Sequence, residues 1–231
     1  MKTKLKIVLL FGCCTYSFGQ VNINHVEQIG EGNAGIVNQH GFINYDHIQQ
    51  IGDNNTSNVE QFGSFNYNNQ FTLGNSNSNE VEQIGLGNFG FSIQKGNQNQ
   101  SNLYQLGGFN GSVVYQFGDN NVSDVNQVGL FNLSHQVQGG SGNGAYIIRI
   151  GHHNFSYQEQ ENDTNLAIGF QFGSFNYIQQ VQVGSFNFAL DSQIGLFNES
   201  VVGQNGDRNL HVGNQLGFFN SLSVNQTANY N

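Results

Sequence analysis

From residue 33 onward the chain alternates apolar and polar positions in short stretches of one design. After Asn33, and after every 22nd residue beyond it as far as Asn143, a small residue comes second and an aliphatic one fourth: Gly35 and Val37, Ser57 and Val59, Asn79 and Val81, Ser101 and Leu103, Ser123 and Val125, Ala145 and Ile147. Side chains alternate across a strand, so each Asn, its second and fourth successors and the next Gln share one face. Such a stretch is about seven residues long, a normal strand length. It ends in Q-x-G-x-x-N, which is turn chemistry, because Gly supplies positive φ and Asn tolerates it. Small and aliphatic residues together suit the narrow interior between two sheets.

The same unit recurs every 11 residues without insertion or deletion. Its Gln column reads Gln28, Gln39, Gln50, Gln61, Gln83, Gln94, Gln105, Gln116, Gln127, Gln138, Gln160, Gln171, Gln182, Gln193, Gln204 and Gln215, continues to Gln226, and departs at Thr72 and Arg149. Its Asn column has no departure: Asn33, Asn44, Asn55, Asn66, Asn77, Asn88, Asn99, Asn110, Asn121, Asn132, Asn143, Asn154, Asn165, Asn176, Asn187, Asn198, Asn209 and Asn220, then Asn231. An 11-residue period also fits a right-handed coiled coil, but fixed Gly and Asn are poor helix formers. The missing prolines suit strands, where every backbone N–H is needed.

Two kinds of turn alternate, one often carrying Phe before its Asn and one mostly polar, so the structural repeat is 22 residues. The expected fold is all-β: a β-solenoid of 22-residue rungs, each two 11-residue strand-turn units, with two parallel sheets packed face to face. Nineteen strands between Asn22 and Gln226 make about 9.5 rungs, stacked ~4.8 Å apart. The heptapeptide QFGSFNY at 61–67 and again at 171–177 then occupies the same edge five rungs apart. Gln and Asn at the interior margins are expected to hydrogen-bond to their own kind one rung away as amide ladders.

The last third departs from the pattern. There Gly169, Asp191 and Gly213 take the fourth position, while Leu166, Ile168, Phe188, Leu190, Leu210 and Val212 fall on the other face. Either the interior is filled by small residues there, or the outward face becomes apolar. In the Phe-bearing turns, Phe109 and Phe131 lie one rung apart, as do Phe175, Phe197 and Phe219. Rings at that spacing can stack; they either stabilise the edge or form a lateral surface for bundling, for which Phe175, Phe197 and Phe219 are the candidates. In the polar turns, the residue after the Gly position includes Glu31, Asp53, Asp119, Asp163 (after Asn162) and Asp207. These read equally as charged gatekeepers against premature aggregation and as ordinary turn-forming acids.

Residues 1–19 differ in composition. MKTKLK, the apolar run IVLLFG and the small residues Ser17 and Gly19 form an expected secretory signal peptide, cleaved before Gln20 and too short for a membrane span. A lipobox at LFGC, with Cys13 acylated, is the rival reading; Phe11 sits awkwardly in it. Residues 20–231 are the single repeat domain. They hold no Cys, and set Lys95, Arg149 and Arg208 against 15 acids. That balance argues against nucleic acid as a partner, and no disulfide framework is available. No zinc spacing links the seven His, the turns lack the acidic nonapeptide of calcium β-rolls, and no insertion offers room for a catalytic cluster. Catalytic, cofactor and metal residues are therefore expected to be none. Arg149, near His152 and His153, reads as a point departure from the Gln column.

The repeat resembles the curlin repeat, S-x5-Q-x-G-x-x-N-x-A-x3-Q, of bacterial curli fibre subunits. Gln105, Gly107, Asn110 and Gln116 mark one copy; Gln61, Gly63 and Asn66 mark another, in which Thr72 departs from the closing Gln. The likeness covers residues 22–231, with Asn where curlins use Ser and about twice their number of rungs. It implies an extracellular functional amyloid and not an enzyme, exported through the periplasm and an outer-membrane pore, assembled on the cell surface into biofilm fibres with an adhesive role, and served by a curli-type nucleator. The alternative is a minor nucleator, or a surface-attached solenoid adhesin that binds a partner.

Polymerisation is also expected from the repeat itself, which reaches residue 231 with no capping element in the sequence. A half-integral rung count leaves one sheet a strand longer. A head-to-tail joint then needs either a gap or a half turn that exchanges the sheets.

Overall fold

The computed structural model describes residues 21–228; the expected leader, Cys13 and Asn231 lie outside them. Nineteen strands and no helix make up the described chain. One sheet holds the odd-numbered strands: β1 (Ile23–Ile29), β3 (Tyr45–Ile51), β5 (Tyr67–Leu73), β7 (Phe89–Lys95), β9 (Gly111–Asp119), β11 (Leu133–Ser141), β13 (Phe155–Glu161), β15 (Tyr177–Val183), β17 (Glu199–Gly206) and β19 (Ser221–Ala228). The other holds β2 (Ala34–Phe42), β4 (Thr56–Ser64), β6 (Ser78–Leu86), β8 (Gln100–Gly108), β10 (Val122–Leu130), β12 (Gly144–His152), β14 (Leu166–Ser174), β16 (Phe188–Leu196) and β18 (Leu210–Phe218). Each strand pairs in parallel with the one 22 residues on, as in Gln61↔Gln83 and Gly63↔Gly85. The result is a β-solenoid of 22-residue rungs, with ten strands in the odd sheet and nine in the even one.

The interior holds the face that the alternation assigns to it. Asn55, Ser57, Val59 and Gln61 are all buried, and Val59 meets Ile48, Val81, Leu103, Val114 and Val125 in one apolar cluster, flanked by Val26 and Val37. The two readings of the last third are both met. Ala167 and Ala189 fill the interior beside Gly169 and the buried Asp191, and the large apolar residues turn outward.

Two details of the turns differ from expectation. All strands of the even sheet are nine residues long and run past the Gln and through the Gly. The ladder survives there because the glycines stay in register while bending. Gly63 has φ +116°, and a Cβ on it would lie 2.0 Å from the Gly85 carbonyl oxygen. Glycine is thus needed both for its conformation and for the closeness of the next rung. The second left-handed residue is not the invariant Asn but the one before it: Phe65 at φ 58°, Phe109 at 55°, Phe197 at 57°. The Asn is kept for its side chain.

Candidate functional site

The repeated residues form stacked columns that run the length of the molecule. Asn66 shows the Asn column: its Nδ2 donates to Asn44 Oδ1 (3.1 Å) and to the Gly85 carbonyl (3.2 Å), while its Oδ1 accepts from the backbone N–H and Nδ2 of Asn88 (3.1 Å each). One buried amide thus satisfies two backbone groups of the next rung and joins the amide of the rung before, a role that neither Ser nor Asp could fill with the same donors and acceptors. The Gln column runs the other way. Gln61 Nε2 donates forward to Gln83 Oε1 at 2.8 Å, and Gln83 to Gln105, Gln105 to Gln127 likewise. From amide to amide, Asn therefore donates toward the N-terminal end and Gln toward the C-terminal end.

The two departures interrupt the Gln columns differently. At Thr72 the gap is bridged by Asn79, whose Nδ2 donates to Thr72 Oγ1 (3.1 Å) and Gln94 Oε1 (2.9 Å). At Arg149 no amide links Gln127 to Gln171. The guanidinium is fully buried and donates to the Leu133 and Asn154 carbonyls, yet Nε and Nη2 have no partner and neither does Gln171 Oε1. Burial pushes this arginine down to about 9.

The odd sheet adds polar structure that hydropathy could not reveal. Ser123 Oγ bonds Gln136 Oε1, Gln136 donates to Gln158 (2.9 Å), Gln158 to Gln180 (2.8 Å) and Gln180 to Asp191 Oδ2 (2.8 Å). Asp191 Oδ1 also accepts from Ser200 Oγ (2.7 Å) and lies 3.0 Å from His211 Nε2. This buried chain crosses the solenoid where the interior is narrowest in apolar side chains. At the opposite end Asp46 is buried, with Oδ1 accepting from Asn68 Nδ2 (2.7 Å) and Oδ2 unpartnered. Desolvation raises its carboxyl to about 7 against the lowering effect of Asn68.

The Phe-bearing edge is a continuous ring stack. Phe109, Phe131, His153, Phe175, Phe197 and Phe219 follow one another at 4.8–5.2 Å between centroids, with interplanar angles of 2–21°. His153 belongs to this column, which sequence reading missed by treating it only beside His152. Phe175 and Phe197 are about half exposed and Phe219 is 76 % exposed, so their edges face solvent while most ring faces are taken by neighbours. On the polar edge, Asp or Asn after the Gly accepts from the backbone N–H one rung earlier: Glu31 N–H to Asp53 (2.8 Å), Asn97 N–H to Asp119 (2.7 Å), Ser185 N–H to Asp207 (2.8 Å). These acids staple rungs, which gives the turn-forming reading a definite mechanism.

Within the described residues, β1 and β2 are paired on one side only, as are β18 and β19. Gln28 and Gln39 open the forward-donating columns there, and Gln215 and Gln226 close them. Each end thus offers what the other lacks. No family model, curated protein or solved structure matches this chain.

Proposed function

We propose that the protein is a secreted structural subunit that polymerises head to tail into extracellular, curli-like amyloid fibres of a biofilm matrix, with an adhesive role and no enzymatic one. The observation that carries this reading is the complementarity of the two open ends. A second copy set on β18 and β19 with a half turn brings its β1 over β18 and its β2 over β19. The joint then reproduces an internal rung: Gln215 and Gln226 donate to the incoming Gln28 and Gln39, and the incoming Asn33 donates back to Asn220. Ten strands against nine make the half turn the gapless solution. Roughly ten backbone hydrogen bonds form per joint, each net about 0.5–1.5 kcal/mol before the costs of ordering and association.

Export through the periplasm and an outer-membrane pore, and a curli-type nucleator as partner, follow from the curlin resemblance of the repeat. The test is electron microscopy and fibre diffraction of residues 20–231, diluted from denaturant with no partner present. Unbranched fibrils that seed fresh protein, with reflections near ~4.7 and ~10 Å, are expected. A β-rich chain that stays monomeric at high concentration would sink the reading in favour of a partner-binding solenoid.

A further inference from the structure

The outward face of the even sheet is divided in two. Beyond the exposed Ile36 on β2, one column across it gives Asn58, Glu80, Asn102 and Asp124, then Tyr146, Ile168, Leu190 and Val212. The next column reads Glu60, Glu82, Tyr104 and Asn126, then Ile148, Phe170, Ser192 and Asn214. The change falls between β10 and β12. Four acids lie on one side of it; on the other, the outward positions of β12–β18 carry no acid, and the flanking column Phe62, Ile84, Leu106, Val128, apolar on both sides, runs on through Ile150 and Ile194. The outward face of the odd sheet has no such division, since His47, Asn69, Lys95, His135 and Glu159 are spread among its aromatics.

We infer that this apolar half-face is a lateral interface with a second copy of the chain, in which two solenoids pack face to face, antiparallel, and overlap only along β12–β18. Size and charge both point there. Four strands ~4.8 Å apart, each with four outward residues ~6.7 Å apart, cover roughly 500 Å², at the upper end of what a monomer exposes. Two copies bury about 1,000 Å², the lower limit for a specific association. Parallel copies in register would lay Glu60, Glu80, Glu82 and Asp124 on themselves. Full antiparallel overlap would press those acids, unpaired, onto apolar side chains, which is costly. The half-overlap avoids both, because each acidic half projects beyond its partner into water. It also sets strand against strand in the same direction, with Ile168 opposite the partner copy's Leu190, so that equal rung spacings allow the rows to interdigitate.

The association does not depend on head-to-tail growth, and its test separates the two. Residues 20–231 are studied by sedimentation velocity before fibrils form and by electron microscopy afterwards. The wild type should give dimers or fibrils of double width. Ile168→Lys with Leu190→Lys should weaken pairing about tenfold or more and leave single-width fibrils. Ile168→Thr with Leu190→Thr, which keeps strand propensity, serves if the lysine variant fails to fold and should show the same loss. A nitroxide at Asn102→Cys, the sole cysteine of this segment, should report about 35 Å between copies in the antiparallel half-overlap, against about 10 Å in a parallel one. Pairing that survives both variants, a wild type that never pairs, or a ~10 Å separation would each overturn the inference. Fibrils without lateral pairs would do so while leaving polymerisation intact.

Discussion

Replacing Gln105 by Leu removes one buried amide from the middle of a ladder while keeping nearly the same volume. Gln105 is fully buried; it donates to Gln127 Oε1 (2.8 Å) and the Phe89 carbonyl (3.0 Å), and accepts from Gln83 Nε2 (2.8 Å). Gln83 keeps its bond to the Tyr67 carbonyl but loses one acceptor, and Gln127 Oε1 loses its donor. Two buried polar atoms left unsatisfied cost about 1–3 kcal/mol each. The added apolar burial offsets about 1–2 kcal/mol, leaving a net loss of about 1–4 kcal/mol. Urea unfolding of residues 20–231, kept dilute and monomeric, should show the midpoint falling by about 1 M at an unchanged slope of ~2–3 kcal/mol/M. The chain carries its own control. Thr72 is tolerated because Asn79 bridges the gap, and position 112 stands to 105 as 79 stands to 72. Gln105→Thr with Ser112→Asn should therefore recover part of the loss. A Q105L midpoint within about 0.3 M of wild type would refute the claim that amide ladders stabilise the rungs.

Three further outcomes are expected. Gly63→Ala, with φ +116° and a Cβ 2.0 Å from a backbone oxygen, should cost well over the ~1 kcal/mol of Gly142→Ala, whose φ is +70° and whose Cβ would meet only Thr164 Oγ1 at 3.7 Å; thermal melts followed by circular dichroism compare the two. Asp46 binds its proton more tightly folded (about 7) than unfolded (3.8), so its contribution is present in full below the unfolded value and is lost as pH rises from about 4 to about 7. Asp46→Asn should abolish that fall, on the order of 4 kcal/mol, in urea midpoints measured at pH 4 and 8. Arg149→Gln should restore an unbroken Gln column and remove an unpaired buried cation, raising stability by about 1–3 kcal/mol in the same assay.

Much of this architecture was legible because the 11-residue spacing never slips. Once Asn and Gln fix the strand ends, rung length, register and interior face follow for every copy, and a buried column of identical amides points to the ladders. The turn was read less well. Gly and Asn are the usual bearers of positive φ, so the sequence hid the fact that Phe109 or Phe197 takes the left-handed place while Asn spends its side chain on neighbouring rungs. The buried chain from Ser123 to Asp191 was missed because Gln136, Gln158 and Gln180 are polar residues at fourth positions, which the alternation places inside but whose hydropathy does not suggest a core. Asp46 was missed for the same reason. His153 looked like half of a His pair, when its spacing of 22 from Phe131 and Phe175 already placed it in their column.

The opposed directions of the Asn and Gln columns have an electrical consequence. In an α-helix all peptide dipoles add, leaving about half a charge at each end. Here every forward-pointing Gln amide has a backward-pointing Asn amide beside it, so the side-chain dipoles largely cancel along the axis. The ladders then add little of their own to the field at the tips of a stack, and that contribution does not grow with the rungs already there; what accumulates is the repulsion among the acids.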